Sequence, residues 1–130
     1  MDVTYKSAKI YSGTDWIDLA VATADPAQRT IANITGTTYT PGISDAGKAL
    51  VFTNSSAITL TIPSESSTNY TIGQTFLVIQ KGTGQVTVAG ASGVTINALS
   101  GNSKTSGQYA EARLIKTASN EWLLSGDLSS

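Results

Sequence analysis

The run TIGQTFLVIQKGTGQVTVAGASGVTIN, residues 71–97, decides how the chain is read. It holds three strand-like pieces, 76–80, 85–88 and 94–97, set apart by glycine-bearing turns. The first is apolar on both faces. In the other two, Val86, Val88, Val94 and Ile96 fall on one side, and Thr87, Thr95 and Asn97 on the other. A two-residue period belongs to a strand with one buried face, whereas a helix would repeat every 3.6 residues. Gly82-Thr83-Gly84 between the first two pieces is expected to turn the chain with glycine at positive φ.

Outward from this run the pattern repeats. Leu50 and Phe52 open an alternating strand, Asn54-Ser55-Ser56 reads as a turn, and Ile58, Leu60 and Ile62 alternate with Thr59 and Thr61. These two pieces read as a hairpin ended by Pro63. Residues 110–116 and 121–125 read as a closing hairpin around Thr117-Ala118-Ser119-Asn120. There Ala112 and Leu114 share one face, and Trp122 and Leu124 alternate with Leu123. Residues 64–69 and 98–107 read as polar loops, and 127–130 as a loose end. Before the body, residues 5–11 and 16–20 read as two short strands around Ser12-Gly13-Thr14-Asp15, with Ile17 and Leu19 alternating with Trp16 and Asp18. An isolated two-stranded hairpin is marginal in water, so this arm must pack on its own body or on another subunit. Tyr11, Trp16, Ile17 and Leu19 are the candidate assembly contacts. Residues 22–30, with Pro26, read as a linker. The division is therefore an arm and linker at 1–30 and a body at 31–130. The fold class is all-β: a small sandwich or barrel of short antiparallel strands with an N-terminal β-hairpin arm.

Composition narrows the function classes. At 130 residues the chain can form one domain that buries roughly two thirds of its unfolded surface. Only 13% of residues are charged while 40% are hydrophobic, so hydroxyls and amides must supply the polar surface. Such a surface is easily desolvated and favours packing against other subunits. The net charge is −1 and the eight basic residues are scattered, which argues against nucleic-acid binding. No Cys is present, so disulfides and thiolate metal sites are excluded. Met1-Asp2 leads into a polar run with no apolar signal segment, and no stretch approaches membrane-spanning length; synthesis and folding in a cytoplasm, without membrane contact, are expected.

The chemistry-bearing patterns are weak. With no His, the Ser-His-Asp triad, the commonest general base and the usual imidazole zinc ligand are all missing. The nine carboxylates sit beside turns or on strand flanks; a paired-carboxylate glycosidase is the remaining enzymatic alternative. Gly42-Ile43-Ser44-Asp45-Ala46-Gly47-Lys48-Ala49 nearly matches a phosphate-binding loop, but Ala49 lacks the magnesium-holding hydroxyl and a strand follows. Asp45 and Gly47 are instead expected to build a turn. No EF-hand-like run of oxygen ligands occurs, and no cofactor is expected. Among the five tyrosines, a sugar-stacking residue is an alternative to ordinary strand packing.

The order and spacing of the motifs resemble a module that recurs in bacteriophage virion proteins. The likeness runs through Ser44-Asp45-x-Gly47-Lys48-x-Leu50-x-Phe52, Thr59-x-x-Ile62-Pro63, Ile72-Gly73 and Val78-Ile79-Gln80-x-Gly82-x-Gly84-Gln85-Val86-Thr87. It continues with Gly93-Val94-Thr95-Ile96-Asn97, Gly107-Gln108-Tyr109-Ala110 and Trp122-x-Leu124-x-Gly126-Asp127-Leu128. Tyr11-x-Gly13-Thr14-x-Trp16-x-Asp18-Leu19 is similar to a segment that often precedes it. The resemblance implies a non-enzymatic, commonly homotrimeric surface component of tail fibres, tail spikes or capsid decorations, and carries no catalytic residues. Fibre modules usually sit in longer chains, whereas here the module is almost the whole sequence. The expectation is therefore a virion-located capsid decoration, cement or head-fibre subunit, with itself and a major capsid protein or tail component as partners. The alternative is a tail-fibre or tail-tip adhesin for a host receptor or glycan, which would need loops 64–69 and 98–107 gathered at one end with aromatics.

Overall fold

The computed structural model describes residues 28–130. Eleven strands are found there: β1 (Ile31–Ile34), β2 (Thr38–Tyr39), β3 (Ala49–Phe52), β4 (Ile58–Ile62), β5 (Thr75–Gln80), β6 (Val86–Gly90), β7 (Thr95–Ala98), β8 (Lys104–Thr105), β9 (Glu111–Ala118), β10 (Glu121–Gly126) and β11 (Leu128–Ser129). They form a six-stranded sheet A, ordered β1-β3-β5-β9-β10-β7, and a five-stranded sheet B, ordered β11-β8-β6-β4-β2. The fold is all-β, as the alternation requires.

Strand pairing departs from the antiparallel expectation: both sheets are mixed. β1, β3 and β5 run parallel in sheet A, and β2, β4 and β6 run parallel in sheet B. Residues 49–52 and 58–62 are thus not a hairpin. β1, β3 and β5 of sheet A each hand the chain to sheet B through a short turn, and after the first two a longer crossover brings it back one position along. The described chain makes three such coils, β1–β2, β3–β4 and β5–β6. The local pattern of two alternating strands around a polar turn is the same for a hairpin and a coil; only the partners differ. Chain reversal comes later, where β9 pairs antiparallel with β5 and β8 with β6. The expected closing hairpin is present as β9–β10, turning through Asn120 at φ 52.

The turns of successive coils stack, which explains Gly82 and Gly84. Neither has positive φ, contrary to the sequence expectation. A Cβ on either would lie 2.7 Å from the Asn54 carbonyl oxygen of the turn beneath, closer than real Cβ atoms come. Glycine is needed here for close backbone approach. Asn54 ties the stack together. Its Nδ2 donates to the Thr35 carbonyl of the first coil (2.9 Å), and its own carbonyl accepts from the Gly84 N–H of the third (3.0 Å).

The core lies between the sheets. Leu50, Phe52, Phe76, Val78, Leu114, Trp122 and Leu124 from sheet A meet Ile58, Leu60, Ile62, Val86 and Val88 from sheet B. Tyr70, from the crossover between β4 and β5, closes an aromatic cluster with Phe76 and Trp122, at centroid distances of 5.2 and 5.8 Å. Edge-to-face geometry suits the positive rim and negative face of such rings. Among the described residues four polar ones are also buried, Asp45, Gln80, Thr105 and Lys116, and each is paired. Leu128–Ser129, expected to be loose, pairs with β8, whose own residues had read as loop.

Candidate assembly surface

The arm contacts read from sequence, Tyr11, Trp16, Ile17 and Leu19, lie outside the described residues. Within them, the outer face of sheet A carries an apolar patch on β1, β3 and β5, in which Ala49 and Val51 are buried. Parallel register places Ile31, Ala49 and Leu77 in one row and Val51 beside Ile79 in the next. Antiparallel register adds Ile115 opposite Leu123. Leu77, Ile79 and Ile115 are half-buried, while Ile31 (54%) and Leu123 (42%) are exposed. A strand with one face on the core normally presents polar residues on the other; β9 and β10 do so with Glu111, Arg113, Thr117, Glu121 and Ser125, whereas β5 presents Leu77 and Ile79. The signal was in the sequence, in the unbroken apolar runs Phe76-Leu77-Val78-Ile79 and Trp122-Leu123-Leu124. Sequence reasoning attached no assembly role to them.

Beyond Leu123 the chain builds a depression of about 290 Å³, lined by Leu99, Ser100, Asn102, Leu123, Leu124, Ser125, Gly126 and Leu128. Leu99, 87% exposed, is held out on a short 3-10 turn (Leu99–Gly101) in which Ser100 has φ 58. A second depression, about 390 Å³, combines Leu77 with Glu111, Arg113 and Asp127. Its two carboxylates are exposed, and Asp127 Oδ2 accepts from the Glu111 N–H at 3.3 Å.

Two polar clusters anchor the crossovers that frame these faces. In the crossover from β2 to β3, Asp45 Oδ2 accepts from the Tyr39 hydroxyl (2.6 Å) and the Gly42 N–H (3.0 Å), with Lys48 Nζ 3.6 Å from Oδ1. Burial works to raise the Asp45 pKa, but these three donors outweigh it and hold the carboxyl below its usual value. Burial, then the hydrogen bond to Asp45 and its charge, push the Tyr39 hydroxyl up to about 12. Burial likewise raises Tyr70, whose hydroxyl donates to the Gly42 carbonyl at 2.6 Å. Gly47, at φ +77, completes the turn into β3. The near match to a phosphate loop is thus a turn entering a strand, with Asp45 already committed. In the crossover from β4 to β5, Lys116 Nζ, from the inner face of β9, donates to the Tyr70 carbonyl and pairs with Glu65. The Lys116 hydrogen bond, and next that of Ser119, hold the Glu65 carboxyl below its usual value.

The loops needed for an adhesin tip do not gather. Loop 64–69 is tied to the β9–β10 turn, the Glu65 N–H donating to Asn120 Oδ1 at 2.9 Å. Residues 98–103 leave from the far end of β10, where Ala98 pairs with Leu124. Of the tyrosines described, Tyr70 is buried and Tyr39 is bonded to Asp45. Tyr109, 74% exposed at φ 70, is the one free to stack on a ligand. Among the described residues no three carboxylates gather as a metal-binding group. Compared with known proteins, the chain matches no family model, and no curated protein matches it at a significant level.

Proposed function

We propose that the chain is a non-enzymatic structural protein of a bacteriophage virion, a capsid decoration, cement or head-fibre subunit that works by adhesion as a homotrimer. The observation that carries this reading is the ordered motif series from Ile10 to Leu128, which resembles the virion module. The apolar patch of Ile31, Leu77 and Ile79 on the outer face of sheet A and the projecting Leu99 support it, because buried apolar area stabilises such an assembly. The opposite placement of loops 64–69 and 98–107 weighs against the adhesin alternative. In this reading Trp16 and Tyr11 of the arm add the anchoring aromatics typical of interfaces. The test is to add purified protein to expanded capsids that lack it and, in parallel, to host cells. Capsid binding with a trimer by light scattering is the expected result. Labelling of cells without capsid binding would overturn the decoration reading, and a monomer at all concentrations would overturn the trimer.

A further inference from the structure

Lys116 sits on the inner face of β9, opposite Trp122 of β10, and is 2% exposed. Its Nζ meets three groups of the crossover 63–74: Glu65 Oε2 at 2.7 Å, the Tyr70 carbonyl at 2.7 Å and Asn69 Oδ1 at 3.4 Å. An amine, a carboxylate and a carboxamide thus converge on one point, and two of them are held there. The Tyr70 carbonyl fixes Nζ. The Glu65 carboxylate is fixed by Ser119 Oγ, which donates to Oε1 at 2.9 Å, and by the Asn120 N–H, which donates to Oε2 at 3.2 Å. A C=O bond is about 1.2 Å long, so the Asn69 amide carbon lies within about 4.6 Å of Nζ. The Asn69 side chain is exposed, and a modest rotation brings that carbon to the roughly 3–3.5 Å of a near-attack geometry.

We infer that Lys116 and Asn69 form an intramolecular amide bond, made by the chain itself with loss of ammonia. Glu65 takes one proton from the Lys116 ammonium and so frees the lone pair of Nζ. That pair forms the bond to Asn69 Cγ, and the carbonyl electrons move onto Oδ1. Glu65 passes its proton to the amide nitrogen, the Cγ–Nδ2 bond breaks with its electron pair on nitrogen, and the carbonyl re-forms. Nζ gives up a second proton, which leaves with the ammonia as ammonium. Ammonium and carboxamide thus become amide and ammonium, so charge and hydrogen balance without oxidant, reductant or co-reactant. The depressed Glu65 carboxyl is a weak base, which makes the first step uphill and the reaction a slow, single event. Two features pull it forward. A buried ammonium, costly to desolvate, is exchanged for a neutral amide, and the exposed side of Asn69 lets the ammonia escape. The product ties the crossover 63–74 to β9 by a covalent bond along the line the ion pair already follows.

Intact mass spectrometry of the full 130-residue chain, folded and held for several days, tests this. The expected mass is about 17 Da below that of the sequence, one ammonia lost. Trypsin then yields residues 49–81 covalently joined to 114–130, with no cleavage after Lys116. N69A and K116R keep the full mass, and E65Q slows the loss at least about a hundredfold. N69A changes an exposed side chain, and circular dichroism of the Trp122 cluster checks that each variant is folded. The joined peptide is read in the unaltered chain and does not depend on any variant folding. An unchanged mass in the folded chain overturns the inference. So does a loss of ammonia without the joined peptide, which assigns it to cyclisation at an asparagine, and so does a joined peptide that survives in N69A.

Discussion

Lys116 Nζ lies 2.7 Å from Glu65 Oε2, although the lysine side chain is only 2% exposed and comes from the inner face of a central strand. The same ammonium donates to the Tyr70 carbonyl at 2.7 Å and approaches Asn69 Oδ1 at 3.4 Å. One buried cation therefore fastens the crossover 63–74 to β9. Replacing it leaves a buried carbonyl without a donor, whereas Glu65 reaches solvent. K116M is expected to lower the urea midpoint more than E65Q; the reverse order would place the stabilisation in the charge pair alone.

The depressed Glu65 and Asp45 carboxyls set the acid limb. A group whose folded pKa lies below its unfolded value stabilises the fold above the unfolded pKa, about 4 for carboxyls, and loses that contribution as pH falls through the folded value. Urea midpoints should fall below about pH 4, and less steeply in E65Q.

Tyr39 and Tyr70, both raised, contribute to the alkaline limb, and Tyr39 is the first to titrate. Its folded pKa, raised to about 12, exceeds the unfolded value of about 10, so stability present below pH 10 is lost as pH rises towards 12. Y39F should remove this part of the decline while giving up the bond to Asp45. Denaturant curves at about pH 8 and pH 11 compare the two.

Gly84→Ala and Gly42→Ala separate close approach from backbone freedom. A Cβ at 84 meets the Asn54 carbonyl of the stacked turn, whereas at 42 nothing lies within 4 Å. Neither glycine has positive φ. G84A is expected to cost about 1–3 kcal/mol and G42A to be near neutral, read as midpoint shifts in chemical denaturation.

Thr105 Oγ1 accepts from the buried Val86 N–H at 3.0 Å and donates to Gln80 Oε1. T105V keeps the shape and deletes both bonds. A loss of about 1–3 kcal/mol is expected by thermal or urea unfolding, with T105S close to the parent.

Much of the fold is legible because burial enforces alternation. Leu50, Phe52, Ile58, Leu60, Val86, Val88, Trp122 and Leu124 all face the core as their period requires. Pairing is less legible, because alternation fixes which side chains are buried but not which strand lies alongside. The Asn54-Ser55-Ser56 turn serves a coil where a hairpin is expected. Gly82 and Gly84 mislead for a related reason: their constraint is a carbonyl of another coil, invisible in local sequence. Buried Lys116 and Thr105 depend on partners far along the chain. The apolar residues on the outer face of sheet A were present in the runs at 76–79 and 122–124, but an all-apolar strand reads equally as one buried on both sides.

The antiparallel strands β8 and β9 give the molecule a direction. Both sheets reverse polarity beside the third coil, so a further coil of the same hand and register finds no parallel template there. At β1 and β2 the template persists. Lengthening this protein by duplicated coils is therefore a one-ended process. Insertions ahead of β1 should extend the stack, whereas a coil inserted after β6 would have to displace the strands that terminate it.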